Sequence, residues 1–319
     1  MRTRHPDLHR ILAAVRLARP GPVLVLGRVD CGKTTLVRQM ANALAARAPV
    51  WVVAADTGQA WIGPPATLSR ARLVQPRKRW SSLKPQRMIC VGATSPAPCL
   101  RATAAALVRL AREGVPGAAR VVVDTPGLVT GPLAEALWGR VAGGLRPALV
   151  VAIEKAKEPA GCAAGLLTCR ARPPADAVGA QTHRAQRHNR ELAPVLALFR
   201  AAGARVLTVR PHPLVRRRSP AARAAYRAAA YRRYFKRAAV RFLDGGLPVE
   251  SACSGGSAAL GRGRLAGLRD ACGWDLALGV VCATRRKRIS ILTPQADLAR
   301  VVTLAAGALC VDPASGAEV

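Results

Sequence analysis

Eight consecutive residues, Gly27 to Thr34, form the pattern in this sequence that is most suited to chemistry: Gly-Arg-Val-Asp-Cys-Gly-Lys-Thr. Glycines at these places let the backbone fold around phosphate oxygens with its N–H groups pointing inward. Lys33 can then reach the β- and γ-phosphates, and the hydroxyl of Thr34 can bind Mg²⁺. An apolar segment precedes the loop and a helix-like segment follows it, so the pattern predicts a phosphate-binding loop of a nucleoside triphosphatase.

Phosphoryl transfer also needs an acidic residue near the metal ion, and this residue usually ends a buried strand. The segment Arg120-Val-Val-Val-Asp124-Thr-Pro-Gly has that form. An Asp at a strand end also starts turns or caps helices without any further function. Because a phosphate loop is present, we interpret Asp124 as a Mg²⁺ ligand beside Thr34, bound directly or through water.

A second acidic motif, Asp56-Thr-Gly-Gln59, ends the apolar segment that follows the helix of the phosphate loop. This position faces the γ-phosphate in α/β proteins of this kind. A carboxylate there can accept the proton of an attacking hydroxyl group. Asp56 is therefore predicted to be the catalytic base, with Gln59 close to the nucleotide.

A third motif, Ile89-Cys-Val-Gly92-Ala-Thr94-Ser95-Pro96, follows the other two, and the pair Pro64-Pro65 lies between them. With these motifs in this order, the chain resembles the polynucleotide 5′-hydroxyl kinases of RNA processing, the family of the cleavage-factor and ribosomal-RNA-processing kinases. The resemblance spans roughly residues 21 to 235 and is to a short, prokaryotic-type member. It implies phosphorylation of the 5′-hydroxyl of RNA or DNA, with ATP and Mg²⁺ as cofactors.

The resemblance also implies a lid that carries arginines and ends in an aromatic pair, here Tyr234-Phe235. Arg218, Arg223 and Arg227 have the matching spacing, and arginine at a transferring phosphoryl group stabilises transition-state charge. The predicted catalytic residues are Lys33, Asp56, Arg218, Arg223 and Arg227. The predicted nucleotide-binding residues are Gly27, Asp30, Cys31, Gly32, Lys33, Thr34, Thr35 and Gln59.

Two other functions remain open at this point. One is a GTPase or ATPase switch, although the guanine-reading Asn-Lys-x-Asp motif is absent and Glu154-Lys-Ala-Lys-Glu does not replace it. The other is a non-catalytic scaffold of RNA processing that binds ATP without turnover. An intact phosphate loop is compatible with both alternatives.

The charge of the chain is strongly positive: 50 Lys and Arg against 17 Asp and Glu give a formal net charge of +33. Such a charge attracts polyanions, with nucleic acid as the first candidate and anionic membrane as the second. We expect a single-stranded or end-exposed RNA or DNA partner, bound along residues 70–79, residues 170–190 and the lid helix. No membrane span or signal peptide is apparent, so a soluble, cytoplasmic protein is expected; the oligomeric state is not predicted.

Cysteines and tryptophans give weaker indications. The nine cysteines contain no Cys-x-x-Cys pair, so reduced thiols in the core are expected. Trp51, Trp138 and Trp274 lie in apolar contexts typical of a core. Trp61 and Trp80 do not, and either could stack on a base.

The elements that must position these residues alternate along the chain. Strands are predicted at 22–26, 50–55, 121–124, 148–153 and 205–209. Helices are predicted at 33–47, 99–113, 133–143, 187–202 and 220–242, with loops at 75–85 and 158–187. This order favours an α/β P-loop fold, with a mostly parallel sheet flanked by helices. We place a kinase domain at 1–244, including a lid at about 214–242, and a small β-containing domain at 245–319, with strands near 276–283, 288–292 and 301–311.

Overall fold

The computed structural model describes residues 4–154, 192–253 and 258–319. The predicted loop at 158–187, the basic stretch at 170–190 and the first residues of the predicted helix 187–202 lie outside them. Among the described residues, no helix combines the length and hydrophobicity that a membrane span requires.

A seven-stranded sheet forms the first layer of the protein. Five parallel strands make up most of it, in the spatial order β2 (Val50–Ala54), β5 (Arg120–Asp124), β1 (Gly21–Gly27), β6 (Leu149–Ile153) and β7 (Arg205–Val209). These are the five predicted strands. The Val- and Leu-rich sequences of β2, β5, β1 and β6 are buried on both faces, as parallel strands between helices require, whereas the edge strand β7 is partly exposed.

Two further strands, β3 (Thr67–Leu73) and β4 (Arg87–Cys90), extend the sheet beyond β2. Both pair antiparallel to their neighbours, and neither is predicted from the sequence. Arg70 lies on β3 and is only 4% exposed, and its guanidinium donates to the carbonyl oxygens of Leu110 and Glu113. Arg70 therefore stabilises the fold, and its predicted place on a nucleic-acid surface is wrong.

Helices cover both faces of this sheet. One face carries α1 (Leu8–Leu17), which is not predicted, and α2 (Lys33–Ala45). The other carries three helices, α3 (Leu100–Arg112), α4 (Pro132–Leu145) and α5 (Ala193–Ala201). Trp138 is fully buried in the hydrophobic core between the sheet and these three helices. The predicted fold class is confirmed.

A second sheet lies at the C-terminal side, in the order β8, β12, β11, β10, β13, β9. Its strands are β8 (Ala239–Asp244), β9 (Val249–Ser251), β10 (Arg264–Arg269), β11 (Asp275–Arg285), β12 (Arg288–Thr293) and β13 (Thr303–Cys310). The three predicted strands correspond to β11, β12 and β13.

The predicted basic helix 220–242 is too long. Helix α6 (Pro220–Phe235) ends seven residues earlier, and β8 takes up the remainder as an edge strand paired with β12. The Ala- and Arg-rich sequence favours a helix locally, but pairing with β12 overrides this preference. The second sheet begins at Ala239, whereas the domain boundary at Asp244 stays a prediction.

The two sheets are in close contact. The motif residue Gly92 has φ of +67°, and a Cβ built there would lie 2.3 Å from the Cα of Gly307. A disulfide between Cys99 and Cys253, with Cα atoms 4.8 Å apart, also joins the two parts. The expectation of reduced thiols is therefore wrong for these two cysteines.

Candidate functional site

The phosphate loop connects β1 to α2, and its glycines meet requirements of space and backbone conformation. Gly32 has φ of +95°, and a Cβ there would come within 2.9 Å of Val215. A Cβ at Gly27 would lie 2.6 Å from the sulfur of Cys31. The loop can therefore take this shape only with glycine at both positions. Burial raises the pKa of the Cys31 thiol, so this residue packs as a neutral side chain.

Lys33 is held inside the loop. Its Nζ donates to the carbonyl oxygens of Gly27 at 2.9 Å and Arg28 at 2.8 Å, and the residue is 6% exposed. These contacts aim the ammonium group at the space enclosed by the loop. Thr34 and Thr35 follow in the first turn of α2 and line the same cleft, which has a volume of about 530 Å³.

Asp124, at the end of β5, is fully buried and contacts the loop directly. Its Oδ2 accepts a hydrogen bond from the hydroxyl of Thr34 at 2.6 Å and another from the indole N–H of Trp61 at 2.7 Å. Burial raises the pKa of Asp124 to about 6, although both hydrogen bonds oppose this shift. The predicted pair Thr34–Asp124 is thus brought together, and Trp61 joins it.

These residues fit a magnesium ion. Oδ1 of Asp124 is buried and has no hydrogen-bond partner among the described residues. An unpaired carboxylate oxygen beside a threonine hydroxyl suits Mg²⁺, which binds oxygen ligands and often keeps several waters.

Asp56 follows β2 and lies on the same cleft as Lys33. Its Oδ1 accepts the backbone N–H groups of Gly58 and Gln59, both at 3.1 Å, which fixes the carboxylate in a turn. Burial raises the pKa of Asp56, whereas the positive charge of Lys33 opposes the shift. A carboxylate with a raised pKa is a better proton acceptor at neutral pH than a solvated one.

Two lid arginines reach the phosphate loop through Asp30. The backbone N–H of Arg218 donates to Oδ2 of Asp30 at 3.0 Å, and the guanidinium of Arg223 donates to the same oxygen at 2.6 Å. Burial alone would raise the pKa of Asp30, but these contacts lower it. Arg218 also donates to Oε1 of Gln59 at 2.8 Å. Asp30 and Gln59 therefore hold the lid against the cleft.

Arg227 is placed differently from the other two lid arginines. Its Nε and one terminal nitrogen pair with the carboxylate of Glu318 at 2.6 and 3.0 Å. These contacts hold the middle of α6 to the C-terminal segment rather than to the loop. The C-terminal end of the helix packs on the second sheet through Tyr231 and Phe235.

Trp61 has a role at the site that was not predicted from its sequence context. This residue was assigned a loose position suited to base stacking, but it is only 8% exposed, and its indole binds Asp124. The sequence position of Trp61 indicates a place near the site, because this residue lies two residues after Gln59 in the acidic motif. Tyr226 was also missed; its hydroxyl donates to the carbonyl oxygen of Ala60 at 2.9 Å and links α6 to that motif.

The fold and this cleft define a P-loop nucleotide-binding protein. Residues 27–166 match the family model described as mRNA cleavage and polyadenylation factor CLP1 P-loop. For this part of the chain, the resemblance inferred from the motifs is confirmed.

Two archaeal relatives carry the name polyribonucleotide 5′-hydroxyl-kinase. That of Pyrococcus furiosus is 36% identical over 143 residues, which cover 44% of this chain and 40% of the relative. That of Methanocaldococcus jannaschii is 33% identical over 144 residues, which cover 44% and 39%. The aligned segment thus spans about two fifths of each relative.

A solved structure shares the fold over a longer range. The structure of the wild-type Clp1p–Pcf11p complex matches with a TM-score of 0.64 at 11% identity, covering 95% of this chain and 78% of that one. At this identity the match concerns the fold alone.

Proposed function

We propose that this chain is an ATP-dependent, Mg²⁺-dependent kinase of polynucleotide 5′-hydroxyl ends. The observation that carries the proposal is the position of Asp56, a carboxylate fixed by two backbone N–H groups on the cleft that also contains Lys33 and Thr34. A hydrolytic switch needs only a positioned water, whereas a fixed carboxylate with a raised pKa suits deprotonation of an alcohol. The names of the archaeal relatives support the same reaction.

In the proposed reaction, the 5′-oxygen of the acceptor attacks the γ-phosphorus of ATP. A bond forms between them, the bond from the γ-phosphorus to the bridging oxygen breaks, and ADP leaves. Asp56 takes the proton of the acceptor hydroxyl. Lys33 neutralises charge on the β- and γ-phosphates and holds them in place.

Arg218 and Arg223 act on charge that develops during transfer. Both are bound to Asp30, on the loop that surrounds the phosphates. For transfer, the guanidinium of Arg223 would exchange the Asp30 carboxylate for a phosphoryl oxygen, and the guanidinium of Arg218 would exchange the side-chain oxygen of Gln59 for one. Such cations stabilise the transition state when they are positioned in advance.

Thr34 and Asp124 are the residues that would hold Mg²⁺, which would neutralise phosphate charge and orient the two terminal phosphates. Trp61 fixes the direction of the Asp124 carboxylate by its hydrogen bond. The proposed magnesium requirement therefore depends on the hydrogen bonds that Thr34 and Trp61 make to Asp124.

Incubation with γ-labelled ATP and 5′-hydroxyl oligonucleotides of RNA and DNA tests the proposal. We expect label on the 5′-hydroxyl oligonucleotides and none on matched 5′-phosphorylated ones. The Lys33→Ala variant should transfer no label, because it lacks the ammonium that positions the phosphates. Release of free phosphate without labelled oligonucleotide would instead identify a switch, and neither product would identify a scaffold.

A further inference from the structure

A groove outside the phosphate cleft carries a strong excess of positive charge. Its volume is about 1110 Å³, and α2, the segment 60–64, the segment 77–85 and α6 form its walls. Six of its lining residues are basic: Arg4, Arg38, Arg77, Lys78, Lys84 and Arg233. None of its lining residues is acidic. The chain-wide ratio of 50 basic to 17 acidic residues would give about two acidic residues beside these six.

The walls of the groove are ordered by specific contacts. The amide of Asn42 on α2 donates to the carbonyl oxygen of Arg77 at 2.8 Å and accepts its N–H at 2.9 Å. This pair of bonds attaches the segment 77–85 to α2. On the opposite side, the bond from Tyr226 to Ala60 holds α6 in place. The groove is therefore a fixed surface that carries cations on more than one wall.

An aromatic pair forms part of the lining. Trp61 and Trp80 pack edge to face with ring centroids 5.3 Å apart, and the guanidinium of Arg38 lies 4.6 Å from the Trp61 centroid. Trp80 is partly exposed. An indole beside several cations is a combination that binds nucleotide bases and phosphates together.

The groove is continuous with the phosphate cleft. Thr35 lines both, and Gln59, which lines the cleft, adjoins Ala60, which lines the groove. Trp61 lines the groove with its ring while its indole N–H binds Asp124. A chain with one end at Asp56 can thus extend past Gln59 and Ala60 into the groove.

We infer that this groove binds a single-stranded polynucleotide through its phosphates, holding the nucleotides that follow the 5′ end. Six cations distributed over several walls of the groove favour a polymer with successive phosphates over a free phosphate or nucleotide. The direction of the strand rests on the proposed kinase function, but the binding itself does not.

A double variant, Lys78→Ala with Lys84→Ala, tests the inference. Both lysines are exposed, so folding should be unaffected, and an unchanged unfolding midpoint verifies this. The probe is a fluorescent single strand longer than the ~4–16 nucleotides that one binding fold covers. Each lost phosphate contact lowers the salt slope by about 0.7, so a tenfold rise in salt should weaken wild-type binding by about 25-fold more than variant binding.

The matched control is Arg286→Ala with Lys287→Ala, which removes the same charge from the exposed turn between β11 and β12, outside the groove. We expect the control to keep the wild-type salt slope. With labelled ATP, the groove variant should raise KM for the long acceptor, with kcat unchanged and a dinucleotide acceptor unaffected.

Equal losses in the two double variants, or wild-type binding by the groove variant, would overturn the inference. Loss of binding specific to the groove variant supports it even if wild-type protein transfers no phosphate, an outcome that would defeat only the kinase proposal.

Discussion

Trp61 donates its indole N–H to the carboxylate of Asp124 over 2.7 Å, on the same oxygen that the Thr34 hydroxyl binds. The bond joins the loop after β2 to the end of β5. It leaves the other oxygen of Asp124 unpaired and buried. A residue outside the phosphate loop thereby sets the orientation of the proposed metal ligand.

We expect Trp61→Phe to weaken Mg²⁺ use by about 10- to 100-fold, the usual effect of removing a hydrogen bond to a metal ligand. The phenyl ring keeps most of the apolar packing but has no N–H donor. The measurement is the Mg²⁺ concentration needed for half-maximal transfer. Trp80→Phe is the control, because Trp80 packs against Trp61 without contacting Asp124. Equal shifts in both variants would show that packing, rather than the hydrogen bond, is responsible.

The raised pKa of Asp124 predicts a pH-dependent gain in stability for Asp124→Asn. The native carboxyl has a pKa of about 6, against about 3.9 in an unfolded chain. Its favourable contribution to the free energy of unfolding is therefore present at low pH and is lost as pH rises from about 4 to 6. The amide carries no charge but still accepts hydrogen bonds from Thr34 and Trp61. Without nucleotide and metal, the variant should therefore be more stable at pH 7 by at most about 3 kcal/mol.

Urea unfolding of Asp124→Asn and wild-type protein at pH 4 and pH 7 measures this difference. The gain should nearly vanish at pH 4, where both side chains are neutral. A gain of the same size at both pH values would contradict the argument from charge burial. Transfer of phosphate by the variant should be lost, since the anionic ligand is removed.

Asp56→Asn should retain ATP binding and lower the transfer rate by about 10²- to 10⁴-fold, the usual range for general-base catalysis. The asparagine carbonyl can still accept the N–H groups of Gly58 and Gln59, so the local turn should persist. Nucleotide affinity by calorimetry and single-turnover transfer separate the two effects. A transfer rate close to that of the wild type would move the base role to Asp124 or to solvent.

Arg223 and Arg227 lie one helical turn apart on α6 and should differ in effect. Arg223→Ala should lower transfer by about 10²- to 10³-fold with a smaller change in ATP affinity, because its action is on developing charge. Arg227→Ala removes a partly exposed pair with Glu318, worth about 0–1 kcal/mol of stability, and should leave transfer nearly unchanged. Comparable losses of transfer in both variants would show that Arg227 also reaches the phosphates.

Gly92→Ala should destabilise the contact between the two sheets. The residue has φ of +67°, and its new Cβ would meet the Cα of Gly307 at 2.3 Å. Conformational strain and crowding together should lower the free energy of unfolding by about 2–5 kcal/mol. Gly203→Ala is the control: φ is +80° there, but nothing lies within 4 Å of the new Cβ. An equal loss in the control would assign the whole effect to backbone strain.

The sequence alone determined the parallel strands, the phosphate loop and the acidic residues at the ends of β2 and β5. These features depend on short segments whose apolar runs, glycines and spacing are set locally. The sequence also indicated that Arg218 and Arg223 belong to a lid, through a family pattern rather than through periodicity.

Only the tertiary structure decided which partners the side chains meet. Arg223 and Arg227 have the same residue type on the same helix, yet one binds Asp30 and the other Glu318. Likewise, β8 follows directly on the Ala- and Arg-rich sequence of α6 but forms a strand paired with β12. Such outcomes depend on residues far away in the chain, whose positions are fixed only when the two sheets and their helices pack together.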